Sequence, residues 1–239
     1  LSLNKSYSNK KGNSWSVGTL GWGLAVTLGV YAGKYSGAHI NPAVTIGLLS
    51  SGEIELFTAL EYIIGQCLGA FTACVLVYIH YLPHWSKTDD EKVKLGVFAT
   101  SPSVSSKWSN LNSELIGTFI LLFGLKFIGI NDFAQGLNPI VVGALVCAIG
   151  ISLGGTTGYA INPVRDFIPR LSHSILPIKG KGNSNFSYSW VPVIGPVVGG
   201  VLGVNLYEFL FENTINIYLY ISLAIFFLVT SLSLIENRN

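Results

Sequence analysis

The chain has 239 residues, half of them apolar and only 11% charged, with a mean hydropathy of +0.53. This is not the composition of an ordinary soluble domain, and the apolar residues come in blocks long enough to span lipid. A net charge of +2, spread along the chain, gives no basic face for nucleic acid. The three cysteines, Cys67, Cys74 and Cys147, sit inside apolar blocks without a Cys-x-x-Cys pair, which leaves neither a metal site nor a disulfide framework.

In chain order, residues 1–14 are polar and basic and lack the apolar core of a cleavable signal. The chain opens on Leu1 and contains no methionine, which reads as a cut or unusual N-terminus. Full membrane spans are expected at 15–35, 55–81, 109–130, 137–156, 188–211 and 214–235. Two shorter apolar stretches, 41–50 and 162–171, are each about half the hydrocarbon core at about 1.5 Å of rise per residue. The connections 82–107 and 172–187 read as polar surface loops. Glycines recur at helix-packing spacing: Gly18, Gly21, Gly23 and Gly29, then Gly65 and Gly69, then Gly195, Gly199 and Gly203. Nothing between the apolar halves resembles a linker, so a single all-α membrane domain is expected.

The most informative feature is a repeat. Ser-Gly-Ala-His-Ile-Asn-Pro-Ala at 36–43 returns as Thr-Gly-Tyr-Ala-Ile-Asn-Pro-Val at 157–164. One Asn-Pro marks a turn or a helix start. Two in matched apolar settings indicate an internally duplicated membrane protein, whose site lies where broken helices meet at the midplane. Pro42 and Pro163 suit a first helical position, and Asn41 and Asn162 are also consistent with caps of ordinary helices. Arg165, one turn further on, is expensive within an apolar region and is therefore functional or paired. No nucleotide loop, Ser/His/Asp set or apolar pocket with paired carboxylates supports an enzyme, and no cofactor is expected.

Asn41-Pro42-Ala43, preceded by Ser-Gly-Ala-His and followed by Val-Thr-Ile, resembles the first signature of the major intrinsic proteins, or aquaporins. The second copy, Asn162-Pro163-Val164-Arg165-Asp166-Phe167-Ile168-Pro169-Arg170, is similar to that of the aquaglyceroporin (glycerol facilitator) branch. Trp190-Val191-Pro192-Val193 also fits that branch. The resemblance covers roughly 15–211. It implies an inverted-repeat helical bundle in which two half-helices meet at the midplane, with Asn41 and Asn162 aiming amide donors into the pore. It further implies a filter of Trp22, Gly150, Tyr159 and Arg165, with Arg165 opposite an apolar corner and Gly150 leaving room. His39 would line the cytoplasmic side, Glu114 would brace the backbone before the second motif, and Asp166 would brace a loop and pair with Arg170. The implied function is passive passage of glycerol, related small polyols and water, with ions and protons excluded, by a homotetramer in the cell membrane.

There are departures. Val164 replaces an alanine, and the connection before the first half-helix is one residue shorter than usual. No counterpart of the family's first helix precedes residue 15, so residues 1–14 read as the loop after it. An additional apolar segment lies within 212–239. It either fills the first-helix place or is an unrelated apolar tail, and the lack of a glycine or an inward carboxylate in 214–235 favours the tail. Family topology puts the lysines of 1–14, 82–107 and 172–187 outside, against the positive-inside rule. Alternatives are a water-selective channel, an ion-coupled secondary transporter and a non-conducting remnant.

Overall fold

The computed structural model describes residues 15–238, so the reading of 1–14 lies outside the described residues. The described residues form ten α-helices: α1 (Trp15–Ala32), α2 (Pro42–Ser51), α3 (Leu56–His80), α4 (Leu82–Trp85), α5 (Glu91–Phe98), α6 (Lys107–Gly129), α7 (Asn138–Leu153), α8 (Pro163–Ile175), α9 (Val191–Phe211) and α10 (Ile217–Glu236). Four helical stretches are long and apolar enough to cross a membrane: α3, α6, the run Phe186–Phe211 that includes α9, and α10. Helices α1 and α7, with 18 and 16 residues, are shorter than the expected stretches 15–35 and 137–156. Helix α1 gives way to a tighter turn over Gly33–Tyr35.

Packing follows the glycines. Helices α6 and α9 form the most extensive pair. A Cβ built on Gly199 would lie 2.2 Å from the Leu115 carbonyl oxygen, and one on Gly203 would lie 2.8 Å from that of Phe119. Only bare backbone permits this approach, which is how helices associate when lipid supplies no hydrophobic drive. Gly23 and Gly143 do the same between α1 and α7. Gly199→Ala is therefore expected to cost about 1–3 kcal/mol through overpacking, read as a lower unfolding temperature in detergent. Gly18→Ala, which meets nothing within 4 Å, should leave it unchanged.

The half-helices α2 and α8 start with nearly the same backbone conformation. Asn41 has φ −157° and ψ 120°, and Asn162 has φ −158° and ψ 112°. Asn41 Oδ1 accepts the Ala43 N–H at 2.8 Å, while Asn162 Oδ1 accepts that of Arg165 at 3.1 Å. Pro42 and Pro163 occupy the first turn, where no amide hydrogen is needed. Helix α2 stops at Gly52, whose φ of 84° favours glycine.

The connection 82–107 differs from the expected solvated loop. Within 82–107, α4 and α5 bury Trp85, Leu95 and Phe98, and Trp85 and Phe98 cluster with Cys74, Leu176 and Ile178. Asp90 caps α5 by accepting the Lys92 N–H at 2.8 Å, and α5 packs on α8. The sequence shows charges at Lys87–Lys94 and hides the apolar face between them. Lys181, in the connection 172–187, donates to the Ser174 and Leu176 carbonyls at the end of α8, and burial pulls its ammonium below the usual lysine range.

Helix α10 runs along α6 and α9. Apolar and polar contacts attach it to both. Leu219 packs with Leu115 and Leu202, Asn216 donates to Asn205, and Ser233 bonds Ser109 at 2.8 Å. The Glu236 carboxylate accepts the N–H groups of Lys107 and Trp108 at 2.8 and 2.9 Å, capping the positive end of α6. At the opposite end of α6, Lys126 lies among Glu53, Glu208 and Glu212 at 3.0, 3.8 and 3.4 Å, tying α2, α6 and α9 together.

Candidate functional site

The two motif loops share an uncommon backbone. Gly37 and Gly158 have φ of 74° and 84°, Ala38 and Tyr159 of 54° and 38°, and Ile40 and Ile161 of 43° and 42°. Left-handed conformations in residues bearing side chains are costly and persist only where neighbours over-determine them. Here the neighbours are each other. The Asn41 amide donates to the Ile161 carbonyl at 2.7 Å, and the Asn162 amide donates to the Ile40 carbonyl at 2.9 Å. The half-helix starts are thus cross-linked by reciprocal hydrogen bonds, and each amide keeps a second N–H.

Behind the second motif stands Glu114 of α6, 1% exposed. Its two carboxylate oxygens accept the N–H groups of Ala160 and Ile161 at 2.9 and 2.8 Å. A charge-assisted bidentate grip of this kind holds an extended loop in one conformation.

A cavity of about 320 Å³ runs past these groups, lined by Trp22, His39, Asn41, Tyr159, Asn162 and Arg165 among others. The partial positive charge at two helix starts faces it. Arg165 donates to the Phe98 carbonyl at 3.1 Å, and its guanidinium lies over the Trp22 ring at 4.3 Å. This differs from the expectation that Arg165 stands opposite Trp22. The two are stacked, because a cation over an indole face recovers part of its lost hydration.

Gly150 also acts differently from the expectation. It does not line the cavity. A Cβ there would meet the Tyr159 ring at 2.7 Å and Thr19 Cγ2 at 2.8 Å. Its bare Cα lets Tyr159 lie back against α7, so the room it leaves is taken by that ring. Trp15 supports the arrangement, donating to the Gly150 carbonyl at 2.7 Å and meeting Tyr159 edge-on at 5.7 Å. The Tyr159 hydroxyl has no hydrogen-bond partner among the described residues.

His39 has Nδ1 3.1 Å from Thr45 Oγ1 and its ring edge-on to Tyr62 at 4.9 Å. Pro42, Ala43, Pro163 and Val164 are buried in the first turns of the half-helices. Asp166, wholly buried, accepts the Thr100 N–H and hydroxyl, each at 2.7 Å, and pairs with Arg170 at 2.8 Å. Arg170 is wholly buried too, and donates to the Ser184, Asn185 and Thr100 carbonyls. This pair pins the connections 82–107 and 172–187 to α8. Asp166→Ala would leave Arg170 buried without its counter-charge, at a cost of about 3–5 kcal/mol. A sharply reduced yield of folded protein in detergent is expected, and an unaltered melting profile would contradict the assignment.

Sequence reasoning missed Thr100, Trp15 and Thr19, and named Arg170 only as a partner of Asp166. Trp15 and Thr19 reach the site from one face of α1, at four-residue spacing, but neither belongs to a motif. The Ile40 and Ile161 carbonyls, which accept the amides, carry no side-chain signal beyond the repeat itself.

Comparison with known proteins places the chain. The model of the family described as "Major intrinsic protein" matches residues 1–207. A probable glycerol uptake facilitator protein of Thermotoga maritima is 57% identical over 210 residues, covering 87% of this chain and 89% of that protein. The glycerol uptake facilitator protein of Bacillus subtilis is 52% identical over 217 residues, covering 90% of this chain and 78% of its own length. The X-ray structure of the aquaglyceroporin from Plasmodium falciparum superposes with a TM-score of 0.74 at 34% identity, covering 87% of this chain and 86% of that one. The chain belongs to the major intrinsic protein family of integral membrane channels.

Proposed function

We propose that the chain forms a passive transmembrane channel for glycerol and related small neutral solutes, and for water, with ions and protons excluded. The observation that carries this reading is the reciprocal pair of bonds from Asn41 to the Ile161 carbonyl and from Asn162 to the Ile40 carbonyl. Each amide keeps one N–H to offer to a hydroxyl or water oxygen. A water whose oxygen accepts from both amides cannot also accept from the waters beside it, which breaks the proton wire, and two helix starts oppose cations. Above it, Arg165 lines the same cavity and offers donors to a solute's hydroxyls, among walls that are otherwise largely apolar. No covalent step is involved, and the protein is a channel rather than an enzyme. The names of the relatives support glycerol as the solute.

The test is stopped-flow light scattering on proteoliposomes. A glycerol gradient should produce shrinkage followed by rapid reswelling, and a sucrose gradient shrinkage alone. Reswelling at the rate of empty vesicles would point to a non-conducting chain. Fast water movement without glycerol entry would point to a water-selective pore. We further propose a homotetramer with one pore per protomer, supported by the apolar outer faces of α1 and α7. Crosslinking in mild detergent should give a four-rung ladder, and a strictly monomeric particle would contradict it.

A further inference from the structure

The Arg165 guanidinium donates to the Phe98 carbonyl at 3.1 Å, so whatever holds Phe98 also sets the filter. Phe98 is the last residue of α5 and is buried. Its ring stacks on Trp85 at 5.8 Å and meets the His173 ring at 5.7 Å. His173 stands in the last turn of α8, where the connection 172–187 begins, and is wholly buried. Its Nδ1 lies 2.8 Å from Ser184 Oγ. Arg170 donates both to the Ser184 carbonyl and to that of Thr100, two residues beyond Phe98. The imidazole therefore closes a ring of contacts that runs through Ser184, Arg170 and Thr100 to Phe98, and from there to Arg165. Its Nε2 has no hydrogen-bond partner among the described residues, and a buried polar atom left in that state calls for a role.

We propose that His173 is a positioning residue for the filter: as a neutral ring it holds Phe98, and through it Arg165, and on taking a proton it frees the guanidinium to obstruct the path. The proposal rests on the channel reading of the site. A proton at Nε2 would place a third cation in a buried group of two. Lys181 of the connection 172–187 and Arg170 on α8 both act on the ring, and the carboxylate of Asp166 is already bound to Arg170. From α5, Lys94 is turned onto the Lys179 and Gly180 carbonyls. Helix α3 brings Cys74 to the cluster around Phe98, and Glu208 of α9 lies with Lys126 at the other end of that helix. Burial first, then the Lys181 and Arg170 cations, pull the imidazole down from 6.5 to about 4, against a smaller opposing pull from the Lys181 backbone. The held state thus prefers the neutral ring. That preference is whole above pH 6.5 and is lost as pH falls toward 4. Across this span each pH unit tips the balance toward the released ring by about tenfold.

The experiment follows glycerol entry into proteoliposomes buffered alike on both sides, beside hydrogen exchange of segment 98–100 in detergent, corrected for the intrinsic effect of pH. Wild-type flux should fall at least about tenfold between pH 6.5 and 4, and exchange at 98–100 should rise with the same midpoint. His173→Gln, which offers Ser184 an amide and takes no proton, should flatten both profiles over this range. Ser184→Ala keeps the imidazole and removes its Nδ1 partner, which weakens the held state, so both midpoints should move up. Should His173→Gln fail to fold, the Ser184→Ala shift decides. A fall in flux that persists in His173→Gln, or midpoints that Ser184→Ala leaves in place, would overturn the proposal. Flux absent at every pH, with exchange at 98–100 still following the proton on His173, would keep the hold on Phe98 and sink the channel reading. Steady glycerol flux at every pH, with unaltered exchange, would do the reverse.

Discussion

Arg165→Val is expected to turn a pore for neutral solutes into one that leaks ions. Among the described residues, the guanidinium is the only cationic side chain lining the cavity of the paired motifs. It is fixed there by the Phe98 carbonyl at 3.1 Å, by the Trp22 face at 4.3 Å and by the Asn162 cap on its own N–H at 3.1 Å. A fixed charge in a narrow, weakly screened site opposes a cation by several kcal/mol, and every 1.4 kcal/mol or so removed is about tenfold in rate. Valine also vacates the volume above Trp22. Proton or cation conductance across proteoliposomes should rise by at least about tenfold, with water flow maintained. An unchanged leak together with intact solute discrimination would show that the barrier lies elsewhere, at the Asn41–Asn162 junction.

The second large effect is expected from Gly150→His combined with Trp22→Phe. The site geometry changes the reason for it. A side chain at 150 does not enter the lumen directly. It collides with the Tyr159 ring at 2.7 Å and with Thr19 at 2.8 Å, and so pushes Tyr159 off α7 toward the permeation path. Trp22→Phe meanwhile shrinks the surface on which Arg165 rests. Glycerol then sheds hydration without recovering its contacts, each worth on the order of 1 kcal/mol. Its flux should fall about tenfold for every 1.4 kcal/mol added to the barrier. Water is smaller and needs fewer partners, so its flux should change modestly. Equal loss of both would indicate failed folding, and unchanged glycerol flux would remove Trp22 and Gly150 from the filter.

Much of this site could be read from the sequence because duplication turns weak local signals into a strong one. An Asn-Pro pair alone is ambiguous, whereas two with a shared Gly, Ile and Ser/Thr fix equivalent backbones, and the paired φ values at 37/158, 38/159 and 40/161 bear this out residue by residue. Glu114 was legible through the family resemblance, because a carboxylate near a helix start reads on its own as an ordinary dipole partner. What was not legible depends on tertiary direction. The sequence contains Trp22, Gly150 and Tyr159, but not that Arg165 stacks on the first or that the second yields to the third. Charged residues at 87–94 disguised the buried Trp85 and Phe98. The attachment of α10 was hidden for another reason. Its links to α6 are single polar residues, Ser233 and Glu236, that look ordinary at the end of an apolar run. Glycine spacing alone also failed to separate the packed seam of α9 from the open one of α3.

The central claim is that paired half-helices, bonded through Asn41 and Asn162, form a passive path for glycerol. The most direct test is the initial rate of glycerol entry into proteoliposomes over a wide range of external concentration, with and without an ionophore that collapses all ion gradients. A channel of this kind predicts a rate that rises linearly with concentration and ignores the ionophore. Saturation at low concentration, or loss of uptake when the gradients collapse, would contradict it in favour of a coupled transporter.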